Sequence, residues 1–211
     1  MAHSDTVTRI LDAAEELFAE HGFSETSLRS ITTQAGVNLA AVNYHFGSKK
    51  ALIQAVFSRY LSPFYKMIAG SLDHYEKIKP DGVLSIEEML GYFVRAIAGV
   101  SGGDRRRLAI FMRLLGLAYN QGQGHLRKYL QNEYKTDYER LMVLFTNATP
   151  DLKPEERFWR FHFMLGSAAF TLSNMEHLRA IQKDEFDEQC TEEDVLELLQ
   201  PFLAAGIRAA K

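Results

Sequence analysis

The fold of this chain is decided by residues 10–57, which read ILDAAEELFAEHGFSETSLRSITTQAGVNLAAVNYHFGSKKALIQAVF. Apolar residues recur at helical spacing from Val7 to Phe18, and this spacing predicts a first amphipathic helix with one buried face. Gly22 follows the last turn of that helix and can adopt the positive φ of a helix C-terminus. The segment therefore begins with a helix that needs partners to cover its apolar side.

Two further short helices are predicted on either side of a tight turn. Ser27 is a suitable N-cap for the second helix, and Asn38 is a suitable N-cap for a third helix that ends at about Tyr44 or His45. The turn between them contains Gly36. Two helices that meet across a short turn with a glycine are typical of the helix-turn-helix, in which the second helix lies in the major groove of DNA.

The segment resembles the N-terminal DNA-binding domain of the TetR family of bacterial repressors. The family pattern opens with ILDAA, LF and Gly, continues with AGV, and closes with aromatic residues followed by SK. The matching residues of this chain are Ile10-Leu11-Asp12-Ala13-Ala14, Leu17-Phe18, Gly22-Phe23, Ala35-Gly36-Val37, Tyr44-His45-Phe46 and Ser48-Lys49. The chain departs from the pattern at Thr32, where Ala is usual, and at Asn43, where the first of two adjacent tyrosines is usual.

A closer resemblance concerns residues 35–61, which are similar to the PsrA-type regulators of pseudomonads. Those regulators respond to long-chain fatty acids and control β-oxidation and stress genes. The resemblance therefore implies a long-chain fatty acid, or its acyl-CoA, as the effector, and lipid metabolism genes as the target.

Candidate DNA contacts surround the third helix. By the resemblance, the DNA backbone is contacted by Thr26 or Ser27, Tyr44 and Lys49. A local basic edge adds Arg29, His45 and Lys50. The side chains expected to face the bases are Asn38, Leu39, Ala40, Asn43 and His45. Asn43 has the side chain best suited to a bidentate contact with adenine, whereas Leu39 and Ala40 suit thymine methyl groups.

The overall charge gives no sign of nucleic-acid binding. The net charge of the chain is −3, and residues 1–60 hold five basic and six acidic side chains. The acidic side chains gather on the first helix, whereas the basic ones gather around the third. A local basic edge is sufficient for phosphate contacts, so the prediction of DNA binding depends on how the charges are distributed.

Composition sets broad limits on the class of protein. A hydrophobic content of 46% supports a sizeable core. The uncharged apolar runs are too short to cross a membrane, and residues 1–20 carry acidic side chains, unlike a signal peptide. Cys190 is the single cysteine, which excludes an internal disulfide and is compatible with a reducing cytoplasm. We therefore expect a cytoplasmic protein that does not associate with a membrane.

The rest of the chain carries helix signals and lacks alternating β-branched runs, so the predicted fold is all-α with about nine helices. A helix-turn-helix domain over residues 1–47 is followed by a larger helical domain for effector binding and dimerisation over residues 48–211. The predicted helices of the second domain are a long one from Ser48 to about Tyr75, one capped by Ser85 that ends at about Val100, then 107–119, 125–145, 154–182 and one capped by Thr191.

Candidate effector residues come from the apolar helices of the second domain. Residues 108–116 are apolar nearly all round, which predicts burial and by itself indicates plain core. The surrounding methionines suit an elongated apolar ligand, and Arg95 and Arg113 could pair either with an acidic residue or with a ligand carboxylate. The candidate ligand residues are Phe93, Met112, Arg113, Leu115, His162 and Phe163. The arginines at 105–107 could bind an anion or form an ordinary solvated face.

Motifs for catalysis and cofactor binding are absent from the sequence. There is no GxGxxG after a strand, no GK[ST], no HExxH and no pair of cysteines, and the histidines are scattered. We therefore expect no enzymatic activity, no cofactor and no metal site.

The expected function is that of a homodimeric repressor that binds a palindromic double-stranded DNA operator and is released by its effector. By the family resemblance, the penultimate and last helices of two subunits form a four-helix interface, with packing residues at 166–169, Leu196, Leu199, Leu203 and Ile207. Pro201 should kink the last helix. Two alternatives remain open. The chain could sense another apolar molecule, such as a xenobiotic in efflux control, or it could be an acyl-binding carrier that does not bind DNA.

Overall fold

The computed structural model describes residues 2–80, 82–102, 104–120 and 124–209. Over these ranges the chain forms eleven α-helices and no strand, which confirms the predicted all-α class. The helices are α1 (Ala2–Glu25), α2 (Leu28–Ala35), α3 (Leu39–Phe46), α4 (Lys49–Ile78), α5 (Ile86–Ser101), α6 (Arg105–Asn120), α7 (Gly124–Glu133), α8 (Lys135–Asn147), α9 (Pro154–Ser173), α10 (Met175–Phe186) and α11 (Glu192–Arg208). None of these helices is long and apolar enough to cross a membrane.

The three N-terminal helices follow their predicted caps. Gly22 takes a φ of 81° and bends the end of α1. The Ser27 hydroxyl accepts a hydrogen bond from the Ser30 backbone N–H, and the Asn38 side chain accepts one from Ala41. Gly36 takes a left-handed φ of 63° between α2 and α3. The turn of the helix-turn-helix is therefore determined by local capping hydrogen bonds and a left-handed glycine, both of which the sequence predicted.

Two long helices that the sequence predicted are each divided in the structure. The predicted helix 125–145 is divided into α7 and α8 at Tyr134, and the predicted helix 154–182 is divided into α9 and α10 at Asn174. Tyr134 is held by tertiary contacts, since its hydroxyl lies 2.8 Å from that of Ser62 and its ring stacks on Tyr65. Asn174 donates from its side chain to the Phe170 carbonyl. Neither break has a glycine or proline to mark it.

α4 joins the helix-turn-helix to the rest of the chain. In its first half the Phe57 ring lies 6.2 Å from the Phe23 ring at the end of α1, and further along the Tyr60 ring stacks on Phe111 of α6. Pro63 lies inside α4, which continues past it. Ser48 caps α4 at the start of the predicted second domain, and buried core residues continue from the helix-turn-helix into α4, so the boundary at 47/48 stays a prediction.

The prediction that α6 is buried on all sides is wrong. Phe111, Met112 and Leu114 are buried, whereas Arg113 between them is exposed. α6 packs against α1, α5 and α9, and Arg113 projects from it into solvent. Arg113 therefore needs no buried partner.

Candidate DNA-binding surface and effector cavity

The outward face of α3 is formed by residues at helical spacing. Leu39, Ala40, Asn43 and Tyr44 are exposed, and Tyr44 is 78% exposed. Val42, on the opposite side of the helix, is completely buried. Because residues three and four apart share a helix face, these four side chains form one continuous surface with the geometry needed to enter a groove.

Two predicted base-contacting residues have further roles in the structure. The Asn38 side-chain oxygen accepts the Ala41 N–H at 2.9 Å, so a base contact from Asn38 would use its amide nitrogen. The His45 ring is half-buried between the rings of Tyr44 and Phe46. The exposed side chains that lack such a role in the fold are therefore concentrated at Leu39, Ala40 and Asn43.

Thr26 does not lie on this surface. Its side chain is 2% exposed, and its hydroxyl donates to the carbonyls of Leu17 and Gly22 at 3.0 and 2.8 Å. Ser27, which follows it, is exposed. Of the two alternatives for this backbone contact, only Ser27 has a side chain that can reach DNA, while Thr26 fastens the start of α2 to the end of α1.

Replacing Thr26 with Val should destabilise the helix-turn-helix, because two carbonyls lose a buried donor while the side-chain volume hardly changes. We expect the free energy of unfolding to fall by about 1–3 kcal/mol in urea titrations. Thr33→Val is the matched control, since Thr33 lies on α2 with an exposed side chain. An equal effect of the two substitutions would contradict the anchoring role of Thr26.

The basic edge lies beside α3 at the start of α4. Lys49 and Lys50 occupy the first turn of α4, which has no acidic residue, and Lys49 donates to the Ser24 carbonyl at 3.4 Å. Cations are unfavourable at a helix N-terminus unless an anion is near, so their position favours phosphate binding. Arg29 is exposed on α2 and pairs with no acidic side chain of the described ranges.

Lys50 has an electrostatic effect on α7. Burial chiefly, and then the charge of Lys50, lower the pKa of His125 at the start of that helix. Lys49, by contrast, donates to the Ser24 carbonyl at the end of α1.

The six predicted effector residues do not converge on one cavity. Met112 is buried in the core, and Phe93 and Leu115 pack against that core. Arg113 is exposed, as is Phe163 at 64%. His162 contacts the Phe158 carbonyl through Nδ1 and lies beside the Phe158 and Tyr119 rings. Because these side chains differ in burial and lie on α5, α6 and α9, the described structure does not bring the six together, and their grouping as one effector site stays a prediction.

A cavity of about 480 Å³ lies instead between α4 and α5. It is lined by Met67, Gly70, Ser71, His74, Tyr92, Arg95 and Ala96. The Arg95 guanidinium lies 4.9 Å from the centre of the Tyr92 ring, and no acidic side chain of the described residues forms an ion pair with it. The sequence indicated Arg95 because it is a cation in an apolar stretch. The periodicity of α4 did not indicate that residues of α4 would line the other side of the cavity.

α9 and α11 carry large apolar side chains that the single chain leaves exposed. On α9 these are Trp159, Phe163 and Phe170, and on α11 they are Leu198 and Phe202, all between 58% and 67% exposed. By contrast, Leu203 and Ile207, which were predicted for the dimer interface, are buried within the chain. An exposed apolar surface of this kind, on two helices that pack together, is typical of a protein–protein interface.

Two known protein families match separate parts of the chain. Residues 10–56 match the sequence family described as bacterial regulatory proteins, tetR family, and residues 92–206 match the one described as tetracyclin repressor-like, C-terminal domain. The second match alone covers more than half of the chain.

Curated relatives resemble part of the chain. The transcriptional regulator UidR of Escherichia coli strain K12 is 35% identical over 85 residues, which are 38% of this chain and 42% of UidR. The regulator SrpR of Pseudomonas putida is 43% identical over 54 residues, 26% of this chain and 25% of SrpR. The chain thus matches less than half the length of these relatives. They are regulators of transcription, which confirms the prediction that the chain is not an enzyme.

Solved structures extend the likeness to the whole fold. A TetR-like transcriptional regulator from Rhodococcus sp. RHA1 has a TM-score of 0.61 at 20% identity, covering 97% of both chains. The fatty acid degradation regulator FadR from Bacillus halodurans has a TM-score of 0.55 at 18% identity, covering 98% of this chain and 96% of that one. At these identities the likeness shows a shared fold.

Proposed function

Because the chain belongs to the TetR family of bacterial transcriptional regulators, we propose that it is a homodimeric repressor that binds a palindromic DNA operator and is released by an apolar effector. The observation that carries this proposal is the exposed face of α3, with Asn43 at its centre and Lys49 at its edge. The protein would act in the cytoplasm, where its operator lies.

DNA binding is tested by selecting bound fragments from a random-sequence duplex pool and then measuring affinity by fluorescence anisotropy. A repressor should enrich a palindrome whose half-site centres lie roughly 34–36 Å apart, since each α3 of a dimer enters one major groove. Its affinity for the selected duplex should exceed that for random duplex by about 10³-fold or more. No enrichment would reject the proposal and favour an acyl-binding carrier.

Lys49→Ala should weaken binding to selected and random DNA alike. Loss of one phosphate contact in each subunit should reduce the slope of log affinity against log salt concentration by about one per contact. Lys183→Ala is the matched control, because Lys183 is exposed on α10, which packs against α9. A salt slope that Lys49→Ala leaves unchanged would show that Lys49 serves only its contact with the Ser24 carbonyl.

The proposed dimer uses the exposed apolar surfaces of α9 and α11. Trp159, Phe163 and Phe170 follow each other at spacings of four and seven residues, so they lie on one stripe of α9. Leu198 and Phe202 form a similar stripe on α11. Two chains related by a two-fold axis would bury both stripes against their copies and hold two α3 helices at a fixed separation.

For the effector we propose a long-chain fatty acid or its acyl-CoA, bound in the cavity between α4 and α5. Three features support it: the mostly apolar lining of this solvent-open cavity, the Arg95 guanidinium available to a carboxylate, and the resemblance of residues 35–61 to fatty-acid-responsive regulators. α4 runs without a break from the DNA-binding edge at Lys49 to this cavity at His74. An occupant of the cavity can therefore change the position of α4, provided it binds the released state more tightly.

Arg95→Gln should weaken binding of palmitate by about tenfold or more, because a charged hydrogen bond to the carboxylate is lost. Binding of the uncharged analogue 1-hexadecanol should change little. Isothermal titration calorimetry with both probes measures the difference, and native mass spectrometry shows any lipid that the purified protein retains. Arg113→Gln is the control, since Arg113 is exposed on α6 away from the cavity lining. If palmitate does not release operator DNA but another apolar molecule does, the xenobiotic alternative holds.

A further inference from the structure

Three consecutive arginines begin α6, and each pairs with a different acidic residue. Successive residues of a helix point about 100° apart, so neighbouring side chains reach different elements. The pairs are Arg105 with Glu192 at 3.0 Å, Arg106 with Glu16 at 2.8 Å, and Arg107 with Glu15 at 4.0 Å. The arginines at 105–107 therefore lie beside protein carboxylates of α1 and α11, while Arg105 and Arg106 remain largely exposed to solvent.

Each of the three carboxylates is also shared with a second helix. Glu192 lies 3.5 Å from Arg179 of α10, Glu16 accepts from Gln34 of α2 at 2.8 Å, and Glu15 lies 3.3 Å from Arg59 of α4. The first turn of α6 is therefore tied to α1, α2 and α4 on one side and to α10 and α11 on the other. We call the three arginines with Glu15, Glu16 and Glu192 the arginine joint.

Stability alone does not account for this arrangement. The side chains of Arg105 and Arg106 are 64% and 75% exposed, and exposed ion pairs contribute only about 0–1 kcal/mol. Glu15 is 5% exposed, and its burial raises the pKa of its carboxyl group despite the nearby arginines. The arginine joint therefore combines the weak, exposed ion pairs of Arg105 and Arg106 with the buried carboxylate of Glu15, whose desolvation is unfavourable.

The ion pair between Arg107 and Glu15 in the arginine joint is long. Arg107 Nε is buried without a hydrogen-bond partner among the described residues, since Glu15 lies 4.0 Å away. A movement of α6 toward α1 by about 1 Å would bring the two groups to hydrogen-bonding distance. A contact that a small shift makes or breaks is suited to distinguishing two positions of α6.

We propose that the arginine joint passes movement of α6 to the helix-turn-helix and to α11 together, and so links the orientation of α3 to the dimer helices. The inference deepens the proposed function, because a two-fold dimer must set both α3 helices at the spacing of its operator. Arg105 and Arg106 are positioning residues in this account, and neither contacts DNA or effector.

The first test measures the joint in the free protein. Spin labels are placed at Thr33→Cys on α2 and Glu197→Cys on α11, both exposed positions, in a Cys190→Ser background diluted with unlabelled chain. Pulsed electron paramagnetic resonance then gives the distance distribution between the two labels. The double variant Arg105→Gln, Arg106→Gln should broaden or shift this distribution, whereas Arg113→Gln, an exposed substitution on the same helix, should leave it unchanged. Matching distributions in all three proteins would overturn the inference.

The second test follows transmission on binding selected operator DNA, by hydrogen exchange. In wild type and Arg113→Gln, DNA should slow amide exchange in α3 and also in the first turns of α11. In the double variant the slowing in α3 should remain and that in α11 should be lost. If DNA still slows amide exchange in α11 of the double variant, the inference that the arginine joint links α3 to α11 is wrong. If wild type binds no DNA, the proposed function fails while the distance measurement still decides the inference. Thermal melts of each variant exclude general unfolding.

Discussion

A chain carrying Phe163→Glu is expected to sediment as a monomer and to bind its operator at least about 100-fold more weakly than wild type. Phe163 is 64% exposed at the centre of the apolar stripe on α9, between Trp159 and Phe170. A carboxylate there cannot be buried against a second copy without a large desolvation penalty. The monomer keeps its α3 surface, but it loses the gain in affinity that comes from binding two half-sites at once.

Val83→Glu is the matched control for this prediction. Val83 is 67% exposed, as open as Phe163, but it lies in the connection between α4 and α5 and belongs to neither the α9 stripe nor the α11 stripe. Sedimentation equilibrium reports the mass of each variant, and anisotropy reports its operator affinity. If Phe163→Glu remains dimeric and loses only its response to palmitate, then Phe163 belongs to the effector site, as the sequence predicted, and the proposed interface is wrong.

The parts of the fold that the sequence predicted well are those that local interactions determine. The Ser27 and Asn38 caps and the left-handed Gly36 depend on contacts within a few residues, and each lies where the pattern placed it. The breaks at Tyr134 and Asn174 were missed. At Tyr134 the cause is a hydroxyl contact with Ser62, which is 72 positions away along the chain and leaves no periodic signal.

The candidate site was predicted less evenly, because residue type does not determine burial. Thr26 and Ser27 are neighbours with the same chemistry, yet one is 2% exposed and the other is open to solvent. On α6 and α9, apolar residues occupy more than one helix face. Periodicity could not show that Met112 faces the core while Phe163 faces outward, where the proposed partner chain would cover it. In a sequence, apolar side chains that pack against a second subunit show the same periodicity as apolar side chains that line a ligand cavity.

Asn43→Ala is expected to reduce discrimination between the operator and variants of it by about 1–3 kcal/mol at the contacted base pair of each half-site, with a smaller effect on random DNA. Asn43 is exposed on the outward face of α3, and its backbone carbonyl, which accepts from Gly47, is unaffected by the change. Its neighbours Leu39 and Ala40 have no polar side-chain group, so the loss should fall on one position of each half-site.

The measurement compares wild type and Asn43→Ala on operator duplexes with a single base pair replaced at each position in turn. The affinity of wild type should fall sharply when the base pair at one position of each half-site is replaced. The affinity of Asn43→Ala should not depend on the base pair at that position. Asn132→Ala makes the same substitution at an exposed site on α7 and should match wild type throughout. Phosphate contacts act equally on all sequences. An equal loss of affinity for operator and random DNA would therefore mean that Asn43 contacts the DNA backbone. In that case α3 would recognise its site through Leu39, Ala40 and the shape of the duplex.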